Sequence, residues 1–145
     1  MKFSELPDYR AAVFASAQGQ LSDAREAYHR LLDEAENSDD DVAISFLLQS
    51  LGNVEARDEN FQLAHKYHLS AIGQTRGIPL NLIQYAKALG SYFELPERAL
   101  EKLAEAEKLL NSAKWNRAKD NISKRDYETL ITDFRDELLS DQPHD

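Results

Sequence analysis

Cysteine is absent from this chain of 145 residues, and glycine, proline and tryptophan are scarce. The absence of cysteine excludes disulfide bonds, thiolate metal sites and a cysteine nucleophile, and it is compatible with a reducing compartment. Only five glycines and four prolines leave few positions at which a helix must end. Because alanine, leucine, glutamate and lysine are frequent, the composition favours helix along the whole chain.

Long apolar runs are also missing. No stretch approaches the roughly 20 apolar residues that a helix needs to cross a bilayer. The first ten residues, MKFSELPDYR, hold charges and a proline where a secretory signal needs an apolar centre. The proportions of charged and apolar residues, 30% and 42%, are typical of soluble globular proteins. We therefore expect a cytoplasmic protein with no membrane partner.

Positive charge is in deficit, since the chain has 17 basic and 26 acidic residues and a net charge of −9. Phosphate backbones and anionic lipid surfaces would be repelled, which argues against nucleic acid as a partner. A basic protein or peptide is the better electrostatic match. An acidic surface can also serve solubility alone, without any partner.

Apolar residues are present at helical spacing nearly everywhere. Ile44, Leu47, Leu48 and Leu51, for example, fall at i, i+3, i+4 and i+7. No segment shows the alternate-residue pattern of a strand. The chain is therefore predicted to be all-α, with about seven helices in antiparallel hairpins and a single domain over residues 1–145. The expected hairpins cover about 7–36, 39–73 and 80–110, and a capping helix covers 123–139.

Three consecutive aspartates, Asp39 to Asp41, resemble a metal-binding loop. A calcium loop needs alternating ligands with a glycine between them, and this segment has neither. Ser38 as a helix N-cap, followed by aspartates in the first turn, accounts for the run, because carboxylates favour the positive end of the helix dipole. No metal is predicted here.

A repeat links two parts of the chain. VAISFLLQSLGNVEA, from Val42, aligns with LNLIQYAKALGSYFE, from Leu80, at an offset of 38 residues, and the alignment pairs Gly52 with Gly90. In the helices that follow, small residues recur at the same spacing of seven, in the pairs Ala64 with Ala71 and Ala99 with Ala106. A period of this length with two helices per copy is typical of helical arrays, in which small residues let helices approach closely.

At these residues the chain resembles the tetratricopeptide repeat (TPR) family. The match is best over Leu48-x-x-Leu51-Gly52, Phe61-x-x-Ala64 and Ala71, and it is similar to the longer repeats of bacterial regulators. Leu48, Glu55 and His68 stand where the family pattern prefers Trp, Tyr and Phe. The resemblance implies a right-handed superhelix of hairpins and a role in protein binding.

In that family the first helix of each hairpin lines a concave groove. Carried onto the two best copies, the resemblance implies a partner-binding wall of polar or small residues. These residues are Gln49, Asn53, Ala56, Arg57, Gln84, Lys87, Ser91 and Glu94. Solvation alone would also explain polar residues at these positions.

Two histidines, His65 and His68, have the i, i+3 spacing that can hold zinc, but no suitable third ligand lies nearby in the sequence. Packing against the neighbouring helix is the alternative interpretation, and it is favoured. No serine-nucleophile elbow and no nucleotide-binding glycine loop is present. We therefore expect no metal, no cofactor and no catalytic residue, and the chain is not expected to be an enzyme.

One segment runs against the acidic trend. KWNRAKDNISKR, from Lys114 to Arg125, has five basic residues and one acidic residue, which leaves −13 on the rest of the chain. Lys114, Trp115 and Arg117 form a secondary candidate patch for an acidic partner, with the aromatic ring as an anchor. The alternative is structural: cations that suit a helix C-terminus, and a tryptophan that closes the end of the array.

The function expected from these observations is binding of a partner protein or peptide through a helical-repeat groove. An immunity protein that neutralises a basic toxin is one alternative, because acidic surfaces speed association with basic partners. A sensor domain that holds a small ligand or a signal peptide is the other. The oligomeric state stays open.

Overall fold

The computed structural model of the chain describes residues 6–140, which form seven α-helices and a short 3₁₀ turn at Arg117–Lys119. The helices are α1 (Pro7–Ala17), α2 (Leu21–Asn37), α3 (Asp41–Arg57), α4 (Phe61–Gln74), α5 (Pro79–Ser91), α6 (Pro96–Leu110) and α7 (Lys124–Ser140). No strand occurs in this range. The prediction of an all-α protein with about seven helices is confirmed, and none of the described helices is long and apolar enough to cross a membrane.

Three prolines and one aspartate mark the starts of helices. Pro7, Pro79 and Pro96 are each the first residue of a helix, where the missing N–H has no intrahelical partner to lose. Asp40 caps α3, because its Oδ1 accepts a hydrogen bond of 3.2 Å from the amide of Ala43. The expected N-cap, Ser38, was wrong: it lies at the C-terminal end of α2, so the helix begins two residues later than a Ser38 cap would imply.

The three connections from α1 to α4 use one kind of turn. A single residue in each lies in the left-handed region, namely Gly19, Asp39 and Glu59, with φ of 79°, 55° and 64°. The next amide donates a hydrogen bond to the carbonyl five residues earlier, which closes the end of the preceding helix. The same turn geometry therefore recurs every 20 residues, both within hairpins and between them.

The described chain divides into two compact units, with the boundary between Thr75 and Arg76. Compact units are not by themselves independent folding domains, so the single domain expected over residues 1–145 stays a prediction, and its two ends lie outside the described residues. We call the part before the boundary the N-terminal unit and the part after it the C-terminal unit.

In the N-terminal unit, α2 packs against both α1 and α3, and α3 packs against α4. Its core holds Leu31, Leu47, Leu51 and Val54, each at most 2% exposed. The Tyr9 ring extends this core, with ring centroids 6.2 Å from Tyr28 and 5.5 Å from Phe46. These contacts join the first helix to the second hairpin.

In the C-terminal unit, α5 and α6 form the third hairpin, and α7 packs against both of them. Ile83, Leu103, Tyr127 and Ile131 are at most 1% exposed and form its centre. Ser123 caps α7, since its Oγ accepts a hydrogen bond of 3.1 Å from the amide of Asp126. A helix is observed at Lys124–Ser140, where a capping helix was expected over 123–139, and its capping role stays a prediction.

The small residues of the repeat lie where helices approach closely. A Cβ at Gly52 would stand 2.7 Å from the imidazole of His68, and a Cβ at Gly90 would stand 2.7 Å from a methyl group of Leu138. The repeated alanines, Ala64, Ala71, Ala99 and Ala106, are all fully buried. Both glycines therefore allow a neighbouring helix to pack closely. Gly52 packs against α4, the second helix of its own hairpin, whereas Gly90 packs against α7.

Candidate functional site

Most of the α3 residues that were expected to line a groove are buried or already hydrogen-bonded to another helix. Gln49 and Ala56 are 4% and 2% exposed, so their side chains lie beneath the surface. Arg57 is half-buried, and its guanidinium donates hydrogen bonds to the carbonyl and the hydroxyl of Ser16 at the end of α1. Only Asn53 is left on this helix as a half-exposed polar side chain of the expected set.

The residues expected on α5 are more accessible. Gln84 and Lys87 are half-buried, and Ser91, the last residue of α5, is exposed. Glu94 is also exposed but lies in the turn before α6, with φ of 55°, rather than on the helix. The α3 set and the α5 set belong to different compact units. A partner-binding role for the eight residues stays a prediction. The residues that are neither buried nor already bonded to another helix are Asn53, Gln84, Lys87, Ser91 and Glu94.

A charged cluster in the N-terminal unit was not expected from the sequence. Glu55, 3% exposed, accepts a hydrogen bond from Arg25 Nε at 2.5 Å and another from Asn60 Nδ2 at 3.0 Å. Arg25 also donates from Nη2 to Asp58 at 2.7 Å. The cluster ties α2 to the end of α3 and to the turn that follows. The buried Glu55 carboxylate is thus paired with a cation and is not left uncompensated.

The same cluster affects a nearby tyrosine. Burial, followed by the negative charge of Glu55, raises the pKa of Tyr67, and the charge of Arg25 partly opposes this. The Tyr67 ring lies 6.4 Å from the ring of His29. The sequence offers no local signal for such a cluster, because Arg25 and Glu55 are 30 residues apart.

The two histidines of α4 have different environments. His68 is fully buried against Gly52, and its burial, together with the nearby His65, lowers the pKa of its imidazole to about 4. His65 is half-exposed. Among residues 6–140, no group of three or more histidine, aspartate or glutamate side chains is close enough together to hold a metal ion. The position of His68 agrees with the packing interpretation.

The basic segment between α6 and α7 is held in place by Asp120. Its Oδ2 accepts hydrogen bonds from Trp115 Nε1 at 2.9 Å and from Tyr127 Oη at 2.6 Å, and its Oδ1 accepts one from the amide of Ile122 at 3.0 Å. Burial and these contacts with Asp120 raise the pKa of Tyr127. Trp115 is 9% exposed, so the ring serves the fold and is not an exposed anchor for a partner.

The other members of the secondary patch do reach the surface. Lys114 and Arg117 are exposed, and the guanidinium carbon of Arg117 lies 4.4 Å from the centroid of the Trp115 ring. The amide of Asn116 donates to the carbonyl of Gly77 at 2.8 Å, which holds the segment against the start of the unit. Gly77 has φ of 84°, and a Cβ there would meet the carbonyl of Lys114.

Large apolar side chains are exposed on two helices of the N-terminal unit. Val13 and Phe14 on α1 are 42% and 65% exposed, and Phe61, Leu63 and Leu69 on α4 are 39–54% exposed. In the described chain only Tyr92 and Leu139 join this class from the C-terminal unit. Sequence reasoning missed α1 as a candidate surface. The available signal was that apolar residues occur on all sides of this helix, more than one buried face requires.

Negative charge is also concentrated in the N-terminal unit. Residues 6–75 hold twelve acidic and five basic side chains, a net charge of −7, whereas residues 76–140 hold eleven of each. Exposed apolar groups on α1 and α4 are thus part of the acidic half of the chain.

An open hollow of about 230 Å³ lies between the end of α6 and the first half of α7. Its polar lining is supplied by Glu107, Asn111, Lys124, Glu128 and Thr132. The volume is below the roughly 300–1,000 Å³ of usual small-molecule sites, and charges of both signs line it. The hollow does not favour a sensor function.

Comparisons with models of protein families, with curated proteins and with solved structures find no match to this chain. What the chain binds is therefore inferred from its own residues.

Proposed function

We propose that this chain is a TPR-like helical-hairpin module that binds a basic protein or peptide and performs no catalysis. The observation that supports the proposal best is the coincidence of exposed apolar side chains with negative charge in the N-terminal unit. Apolar groups supply affinity once buried, and the negative charge of the same unit, which lies mainly on α2 and at the two ends of α3, attracts a cationic partner and speeds its approach. A cytoplasmic, bacterial setting belongs to the same proposal, and the absence of cysteine is compatible with that compartment.

Phe14 is the proposed anchor of this surface. It is the most exposed large apolar side chain among residues 6–140, and Arg10, Val13 and Ala17 lie on the same face of α1 at helical spacing. An aromatic ring that becomes buried in a partner is the kind of residue that dominates binding energy. The half-exposed polar residue Asn53, in the same unit, would then contribute to specificity.

The test is affinity capture from the native host with three forms of the protein. The wild type is expected to retain a basic protein, a variant with Val13→Ser and Phe14→Ser is expected to lose it, and a matched Leu139→Ser variant is expected to keep it. Binding should weaken as salt is raised, because the attraction between exposed charges is screened. Equal retention by the wild type and the α1 double variant would rule out this surface.

An immunity protein is the second candidate, and the concentration of negative charge in the N-terminal unit favours it. Inhibitors of basic enzymes use acidic surfaces to associate rapidly. The partner captured above would then be a toxin, and co-expression of this chain should restore growth to cells that produce it. The candidate fails if the captured partner is harmless to the host in the absence of this chain.

A further inference from the structure

The five cations of the segment between α6 and α7 form a second charged surface, on the C-terminal unit. We call Lys114, Arg117, Lys119, Lys124 and Arg125 the cationic surface. All five are exposed, although the segment also contributes the buried Trp115 to the core. Neither the proposed function nor the fold accounts for this concentration of positive charge in an acidic chain.

Helix-dipole stabilisation explains few of these cations. Lys114 follows the end of α6, where a positive charge is favourable. Lys124 and Arg125, in contrast, occupy the first turn of α7, where the helix dipole opposes positive charge. Within residues 6–140 the structure shows no ion pair for either of them. Stabilisation of a helix C-terminus therefore does not account for these two residues.

The surface is held in a defined shape. Asp120 accepts one hydrogen bond from the backbone amide of Ile122 and two from the side chains of Trp115 and Tyr127, whose rings meet edge to face with centroids 5.9 Å apart. Arg117 is stacked on Trp115, so its guanidinium is already oriented before any partner binds. A cationic surface that is ordered in advance loses less conformational entropy on binding than cations on a mobile loop.

We propose that the cationic surface binds a short acidic segment of a partner protein. A polyanion such as nucleic acid fits less well, because Asp126 in the first turn of α7 and Glu128, Asp133 and Asp136 in the turns that follow are exposed to solvent. A long phosphate backbone would extend over these carboxylates, whereas a short run of carboxylates matches the cations alone. Two copies of the chain each have a net charge of −9 and repel one another at long range, so a separate protein with a local acidic segment is the assigned partner.

The test measures the anisotropy of a fluorescein-labelled, glutamate-rich peptide titrated with the full chain. Binding is expected for this peptide and not for its glutamine counterpart. The Lys124→Glu/Arg125→Glu variant is expected to bind at least about tenfold more weakly, because like charges then face the peptide. The matched Arg98→Glu/Lys108→Glu variant changes the net charge equally from exposed positions on α6, and its affinity should stay within about twofold of the wild type.

The Tm of each variant is measured in the same samples as a control for folding. Glutamates suit the first turn of a helix, but position 124 lines the hollow with Glu107 and Glu128, so these effects oppose one another and the Tm of the Lys124→Glu/Arg125→Glu variant should stay close to that of the wild type. A second variant, Lys114→Glu/Lys119→Glu, lies outside α7 and should show a similar loss of binding.

Four results would overturn the proposal. The first is no binding of the glutamate-rich peptide, and the second is an equal loss of affinity in the α7 and α6 double variants, since net charge alone would then explain the binding. Tighter binding of a single-stranded oligonucleotide would assign the surface to nucleic acid. Self-association that the α7 variant abolishes would assign it to a second copy.

Discussion

Single glycines and alanines determine how closely the helices pack in this chain. Gly52 is buried, and the ring of His68 occupies the space that any side chain at position 52 would need. Gly73, on the neighbouring helix α4, is exposed, and a methyl group added there would meet no packed atom within 4 Å. The two glycines therefore make a matched pair for separating packing from helix propensity.

We expect Gly52→Ala to lower the free energy of unfolding by about 1–3 kcal/mol, because the imidazole must move to admit the methyl group. Gly73→Ala should raise it by up to about 1 kcal/mol, since alanine favours helix and nothing obstructs it. Urea unfolding followed by circular dichroism measures both. Equal stabilisation by the two substitutions would show that the Gly52 contact is not tight.

His68 makes the stability of the fold depend on pH. Burial lowers the pKa of this imidazole in the folded chain to about 4, from an ordinary value of 6.5, so the unfolded chain binds a proton more readily between these values. The free energy of unfolding is therefore not reduced by His68 above about pH 6.5, and it falls as the pH is lowered towards 4. At 1.36 kcal/mol per pKa unit, the full effect is roughly 3 kcal/mol.

The substitution His68→Phe should flatten the pH dependence of unfolding between pH 4 and 6.5, because phenylalanine cannot take up a proton. His29→Gln, at an exposed position, should leave the dependence as in the wild type. The measurement is the free energy of unfolding between pH 4 and 6.5 for the wild type and the two variants. A His68→Phe profile parallel to that of the wild type would contradict the assignment.

At the scale of secondary-structure elements, a buried charged cluster holds the first hairpin to the second. The Arg25 and Glu55 side chains are 28% and 4% exposed, whereas the Arg30 and Glu26 pair on the outer side of α2 is 68% and 74% exposed. The two arginines of one helix thus make a buried and a solvated ion pair. Their contributions to stability should differ for that reason.

We expect Arg25→Ala to destabilise the chain by about 2–3 kcal/mol, because it leaves the Glu55 carboxylate buried without its cation. Arg30→Ala should change stability by no more than about 0.5 kcal/mol, as is usual for a solvated pair one helical turn apart. Chemical denaturation of both variants provides the comparison. Similar small effects would mean that water reaches Glu55.

At the scale of the whole molecule, charge is distributed unevenly between the two units. The twelve acidic and five basic residues of residues 6–75 repel one another on balance, and no such excess exists in residues 76–140. Self-repulsion of this kind opposes compact structure and is screened by salt.

The Tm of the chain should therefore rise by a few degrees as sodium chloride is added at neutral pH, since screening weakens the repulsion within the acidic unit. Differential scanning calorimetry measures the change. Sodium sulfate at equal ionic strength is the control, because it also stabilises proteins by exclusion from their surface. A Tm that falls with sodium chloride would show that attractive surface pairs outweigh the repulsion.

The sequence by itself determined the helical class, the approximate number of helices and the small residues of the repeat. These properties depend on local chemistry: apolar spacing along a helix, prolines at helix starts, and glycine or alanine where backbones approach. The burial of Ala64, Ala71, Ala99 and Ala106 follows directly from that pattern. The charge imbalance was also readable, because it requires only counting.

Only the tertiary structure decided which polar residues remain available to a partner. Arg57 was expected on a binding wall and instead bonds to Ser16, 41 residues earlier, while Trp115 was a candidate anchor and instead donates to the carboxylate of Asp120. Arg25 and Glu55 gave no signal at all. Such pairings depend on how helices distant in the sequence pack together, and periodicity within one helix holds no information about the residue that will lie opposite it.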